Sequence, residues 1–117
     1  MKKFLLLGFA SFLLISCTPS KKLYDWKNYE SASYQYYKKQ TPEASLELMK
    51  AYETMIKNPK GTRKTIAPGI YAEYGYFLLQ NGKKEEGIAM LKKEKELYPE
   101  SSAFMDRLIN RFSECES

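Results

Sequence analysis

YAEYGYFLLQNGKKEEGIAMLKKEKELYP, residues 71–99, decides how this chain is read. Tyr71, Tyr74 and Leu78 recur at spacings of three and four, which places them on one face of a helix ending at Asn81-Gly82. A second helix follows, from about Lys84 to Tyr98, with Ile88, Leu91 and Leu97/Tyr98 as its apolar positions, and Pro99 ends it. Gly75 and Gly87 remove the side chains that would keep the two helices apart, and Leu78 and Leu91 fill the space between them. Glu94 breaks the pattern where a small residue belongs; either the pair splays there or Glu94 reaches solvent.

The spacing resembles the 34-residue tetratricopeptide repeat, with Tyr71, Tyr74, Gly75 and Leu78 in the first helix and Gly87, Leu91 and Pro99 in the second. Upstream lies a fainter copy. Trp26 to Lys39 resembles a first helix and Pro42 to Pro59 a second, opened by Thr41-Pro42-Glu43, where Thr caps, Pro needs no N–H, and Glu sits at the positive end. A basic insertion, Lys60 to Thr65, accounts for the 40-residue separation of Pro59 and Pro99. Ala67-Pro68-Gly69 opens the element that runs to Gln80. After Pro99, Ser101 or Ser102 caps a last helix with Phe104, Met105, Leu108, Ile109 and Phe112 on its apolar stripe. The expected fold is all-α: five helices in a short tetratricopeptide-like solenoid over residues 23–113, with a tail at 114–117.

The N-terminus reads differently. Lys2 and Lys3 precede an apolar run from Phe4 to Ile15, too short for the ~20 residues a spanning helix needs. Leu14-Ile15-Ser16-Cys17 then resembles a lipobox. The resemblance implies that residues 1–16 are a lipoprotein signal peptide, that Cys17 receives diacylglycerol, and that residues 17–22 form a lipidated tether. An ordinary secretory signal with a chance cysteine is the competing reading; charge, apolar length and lipobox together favour the lipoprotein. Two or three acyl chains anchor stably where one does not, so the body needs no membrane-binding surface of its own. Thr18, rather than Asp, follows Cys17, which resembles the outer-membrane pattern.

Composition narrows the chemistry. The chain of 117 residues carries a net charge of +5, or +3 without Lys2 and Lys3, with the signs well mixed, so no nucleic-acid partner is expected. Histidine is absent, which removes the commonest general base and metal ligand and rules out Ser-His-Asp and Cys-His arrangements. No glycine-rich phosphate loop is present; no metal, cofactor or catalysis is expected. Carboxylates pair as Glu43/Glu47 and Glu94/Glu96, and nearby Lys92, Lys93 and Lys95 favour a solvated, mixed-charge face over acid–base chemistry. Cys115, the second cysteine, reads as a tail residue, with an intermolecular bridge as its alternative. Lys57, Lys60, Arg63 and Lys64 form a basic cluster; a solvated loop is the ordinary reading, and contact with acidic headgroups or an acidic partner the other.

Ten tyrosines stand against one tryptophan. Trp26, Tyr29, Tyr34, Tyr36 and Tyr37 crowd one segment, more rings than a single buried stripe uses, so Trp26, Tyr29, Tyr36 and Tyr37 are the candidate partner-binding residues. Core packing explains the same rings equally well.

Three blocks carry a closer resemblance: Leu23-Tyr24-Asp25-Trp26-Lys27-Asn28-Tyr29-Glu30, Ala67-Pro68-Gly69-Ile70-Tyr71-Ala72-Glu73-Tyr74-Gly75, and Glu94-Lys95-Glu96-Leu97-Tyr98-Pro99-Glu100-Ser101 with Phe104-Met105-Asp106. They resemble a family of bacterial lipoproteins of unknown function with a tetratricopeptide-like body. Ala67 stands where that family often has proline, and Tyr74 where it often has leucine. Members are often encoded beside a lipoprotein resembling the curli secretion channel. The resemblance implies an outer-membrane lipoprotein facing the periplasm, held by lipid on Cys17, with an envelope protein as partner and that channel-like lipoprotein as a candidate. The expected function is a non-catalytic interaction scaffold. The alternative is a lipoprotein that binds or processes a ligand such as peptidoglycan, which a cleft with convergent Glu and Tyr would favour.

Overall fold

The chain is seen in a computed structural model that describes residues 19–114. Residues 1–16, read above as a signal peptide, and Cys17 and Cys115 lie outside the described residues. Five helices, and no strand among the described residues, make up the fold: α1 Tyr29–Lys39, α2 Pro42–Lys57, α3 Ile70–Gln80, α4 Lys84–Leu97 and α5 Ser102–Glu114, with a 3₁₀ turn Pro99–Ser101 before α5. No described helix is long and apolar enough to cross a membrane.

Local chemistry sets the helix ends. α1 starts at Tyr29, three residues later than the ring spacing from Trp26 suggests. Asp25 accepts the Lys27 N–H at 3.1 Å and pairs with its ammonium at 2.7 Å, and Lys27 takes a φ of +50°, a turn that no helix can include. Gln40, left-handed at φ +51°, closes α1 onto the Tyr36 carbonyl. Thr41 Oγ1 accepts the Ala44 N–H at 3.3 Å and Pro42 takes the first helical position, so α1 and α2 are joined by two residues only. Neither Ser101 nor Ser102 caps α5. Their hydroxyls donate back to the Tyr98 and Pro99 carbonyls, because the 3₁₀ turn feeds directly into the helix.

α1 packs on α2, and α3 on α4, with α5 against α4. The main core runs between the two hairpins through Leu48, Tyr52, Met55, Ile70, Tyr74 and Leu78, while Leu79, Leu91 and Met105 form a second cluster under α5. Leu91 has no exposed surface; full burial of such a side chain stabilises by ~1.5–3 kcal/mol. Phe104 departs from the expected stripe of α5 and is 59% exposed, because Met105 is the residue turned toward Leu91 and Leu79.

Gly75 and Gly87 set the spacing of the second hairpin. A Cβ on Gly75 would sit 2.8 Å from the Gly87 carbonyl oxygen, and one on Gly87 would sit 2.7 Å from that of Gly75. Glu94 neither splays the pair nor reaches solvent. It is 2% exposed, and its Oε1 accepts the Gly69 N–H, 2.7 Å away, at the start of α3. The paired-carboxylate face read for Glu94 and Glu96 therefore does not exist, since Glu96 lies on the exposed side of α4. The segment that follows the insertion is also pinned: Ile66 and Ala67 are buried, and the Tyr98 hydroxyl donates to the Ile66 carbonyl.

Candidate functional site

One open groove of about 810 Å³ lies where the two hairpins meet. The end of α1 gives it Tyr36, Tyr37 and Gln40; Thr41 and α2 give Pro42, Ser45, Leu48 and Tyr52; α3 gives Glu73, Tyr76, Phe77 and Gln80, followed by Asn81. The two-residue link at Gln40-Thr41 holds the first two walls together. The third wall follows from helical spacing, because Glu73, Phe77 and Gln80 share one side of α3, with Tyr76 at its edge, where the ring also meets Phe112 of α5 at 6.1 Å.

At one end of the groove a carboxylate meets two phenols. Tyr29 donates its hydroxyl to Glu73 Oε2 at 2.5 Å, and Tyr52 donates to the same oxygen at 3.2 Å. Burial pushes both phenols above the usual tyrosine range, followed for Tyr29 by its hydrogen bond to Glu73 and for Tyr52 by the Glu73 charge. Tyr52 also stacks on Tyr74, with ring centroids 5.2 Å apart, and Tyr29 lies 5.6 Å from Tyr52. Tyr74 donates to Glu53 Oε1 at 3.3 Å; burial, then the Glu53 charge, raises it to about 12. Glu73 is the one charged residue in the groove lining, and no described ion pair reaches it.

The structure divides the four candidate partner-binding residues. Tyr36 and Tyr37 border the groove, and Tyr37 is 72% exposed. Tyr36 is half-buried with its ring 5.7 Å from Phe77. Trp26 and Tyr29 pack instead on the main core, with Trp26 wedged between Tyr24 and Tyr29 at 6.4 and 5.8 Å. Tyr34 is exposed away from the groove, beneath the Lys38 ammonium. Of the helix-packing residues, Gly75, Gly87 and Leu91 lie buried between α3 and α4, whereas Leu78 faces the main core between the hairpins and Leu79 is the residue that meets Gly87. Tyr71 sits at the edge of the core under Lys93, and Pro99 opens the 3₁₀ turn on the surface.

Gln40, Glu73, Tyr76 and Gln80 were not singled out from the sequence. The signal was present in α3: Glu73, Tyr76, Phe77 and Gln80 stand at intervals of three, four and seven, a second face beside that of Tyr71, Gly75 and Leu78. Chemically the groove offers ring faces, side-chain amides at Gln40 and Gln80, and one carboxylate, while the Asn81 amide is spent on the Phe77 carbonyl at 2.7 Å. These bind by stacking, by hydrogen bonds and by attraction of a cation.

Residues 23–108 match the model of the family described as "Domain of unknown function (DUF4810)". The chain belongs to that family. No curated protein and no solved structure matches it.

Proposed function

We propose that this chain is a lipid-anchored binding module of the cell envelope whose groove docks a segment of a protein partner. The groove between the hairpins carries this reading. Its exposed rings at Tyr37 and Tyr76 suit side-chain anchors, and the amides of Gln40 and Gln80 suit an extended backbone. Glu73 would take a basic group of the partner. The signal-like N-terminus and Cys17 support anchoring at the outer membrane, facing the periplasm, and the sequence resemblance makes a curli-secretion-channel-like lipoprotein the first partner to test.

The test is cross-linking in intact cells with a tagged copy, comparing wild type with Tyr37→Ala and Glu73→Gln. One envelope protein captured by wild type and lost from both variants is the expected result. Capture that is indifferent to both substitutions removes the groove from the function. The convergence of Glu73 with Tyr29 and Tyr52 favours a second reading, a ligand-binding lipoprotein for envelope glycans. Under it, wild type retains glycan fragments and captures no protein.

A further inference from the structure

We propose that the body carries a second, electrostatic contact to the membrane: a basic face that lays the domain on an anionic lipid surface beside its anchor. The reading of Cys17 as the lipidation site supplies the anchor; the face itself follows from how residues 21–23 meet the insertion between the hairpins.

The tether does not leave the domain freely. The Lys22 carbonyl accepts the Thr62 N–H at 3.0 Å and the Thr62 hydroxyl at 3.1 Å, and the Leu23 carbonyl accepts the Arg63 N–H at 3.1 Å. Gly61, at φ +92°, lets the two backbones close: a Cβ there would stand 2.6 Å from the Leu23 carbonyl oxygen. These contacts bring Lys21 and Lys22, forty residues away in sequence, against Lys60, Arg63 and Lys64. All five are exposed, and no described ion pair engages any of them. Asp25 borders Lys21 and Lys22 and also feels the Lys60 charge, but its carboxylate is paired with Lys27 at 2.7 Å; Glu30 lines the same border. Leu23, whose carbonyl holds Arg63, is 55% exposed and adds an apolar side chain to this face.

Chain geometry fixes where such a face must be. Four residues separate Cys17 from Lys22, and over five steps of ~3.6 Å the Lys22 Cα cannot be more than about 18 Å from that of the anchored cysteine. A cation beside an anionic surface gains about 1 kcal/mol, which is roughly fivefold in occupancy per charge. Five of them, with Leu23 at the interface, hold the body down where the acyl chains alone would leave it to swing on its tether.

Trp26 is the single tryptophan and adjoins this face, so it reports directly. The protein purified from cell membranes is placed in phosphatidylcholine vesicles with and without about one-third phosphatidylglycerol, each bearing a dansyl headgroup acceptor. The expected result is higher Trp26-to-dansyl transfer on the anionic vesicles. It collapses near 1 M salt, where the screening length falls to ~3 Å, and is lost in Lys60→Glu/Arg63→Glu/Lys64→Glu. The same charge change placed elsewhere, Lys39→Glu/Lys92→Glu/Arg111→Glu, retains it. Equal transfer on both vesicle types, or equal loss in both triple variants, overturns the proposal. The mass of the purified protein separately shows whether Cys17 carries lipid. If it does not, the same vesicles are used in flotation: binding to anionic vesicles alone keeps the face and sinks the anchor, and no binding sinks the face.

Discussion

Glu94 on α4 supplies the bond that the start of α3 cannot make for itself: its Oε1 accepts the Gly69 N–H at 2.7 Å while the side chain is 2% exposed. A helix often receives this bond from its own third residue. Here Ala72 occupies that place, and the carboxylate comes from the neighbouring helix, which ties the two helices of the hairpin at the end opposite their turn. The other oxygen, Oε2, is buried with no hydrogen-bond partner among the described residues. Glu94→Ala leaves the Gly69 N–H without its acceptor and opens a cavity, a loss of ~2–4 kcal/mol. Glu94→Gln keeps an acceptor and gives up the charge, and loses about half as much. Urea unfolding of the two variants reads the difference; equal losses would show that the volume matters and the bond does not.

Gly87→Ala and Gly75→Ala test the spacing of the same hairpin. Alanine favours a helix over glycine by ~1 kcal/mol, so each change would stabilise if space allowed. The new methyl instead lies under 3 Å from a backbone carbonyl that cannot rotate away. Net losses of ~2–3 kcal/mol are expected, against ~1 kcal/mol for Gly82→Ala, which meets nothing but must keep φ at +77°. Thermal midpoints rank the three variants.

The second hairpin was legible because its signals are local. Apolar residues at helical spacing, an Asn-Gly stop, two glycines and a closing proline each act within one turn of where they stand. Thr41-Pro42 was legible for the same reason. Glu94 was not, because its acceptor role depends on Gly69, which is 25 residues distant and brought near only by the packing of α3 on α4. The groove was half legible. Tyr36 and Tyr37 belong to a visible cluster of rings, but spacing alone does not tell an exposed ring from a core ring. The turn at Asp25–Lys27 moves Trp26 off the helix and onto the core. The pairing of Lys22 and Leu23 with Thr62 and Arg63 left no trace in either segment read alone.

Alkaline pH should weaken the fold through its buried phenols. Tyr74 holds its proton to about pH 12, against an ordinary value of 10.0 that the unfolded chain keeps. Its folded pKa is the higher one. Stability is therefore undiminished below about pH 10 and falls from there to about pH 12, as the unfolded state ionises first. Tyr29 and Tyr52, shifted in the same direction, steepen the fall. Circular dichroism with phenolate absorbance across this range follows it. Tyr74→Phe should shed its share of the slope while forfeiting only the long, 3.3 Å bond to Glu53. An unchanged slope in that variant would show that Tyr74 titrates freely.

Trp26 and Tyr37 should part company when each is replaced by alanine. Trp26 is half-buried, lies between Tyr24 and Tyr29, and rests on the main core. Removing it costs ~2–4 kcal/mol and lowers the melting midpoint; any loss of partner capture then follows from unfolding. Tyr37 is 72% exposed, and its one ring contact among the described residues is with Tyr36 at 5.2 Å. Tyr37→Ala should leave stability within ~0.5 kcal/mol of wild type, yet weaken capture at least about tenfold if this ring anchors a partner as exposed interface tyrosines do. Melting curves and cross-linking yields on the same two variants separate the cases. A Trp26→Ala protein that melts like wild type and loses its partner would move the binding surface off the groove, to the ring pair at the foot of α1.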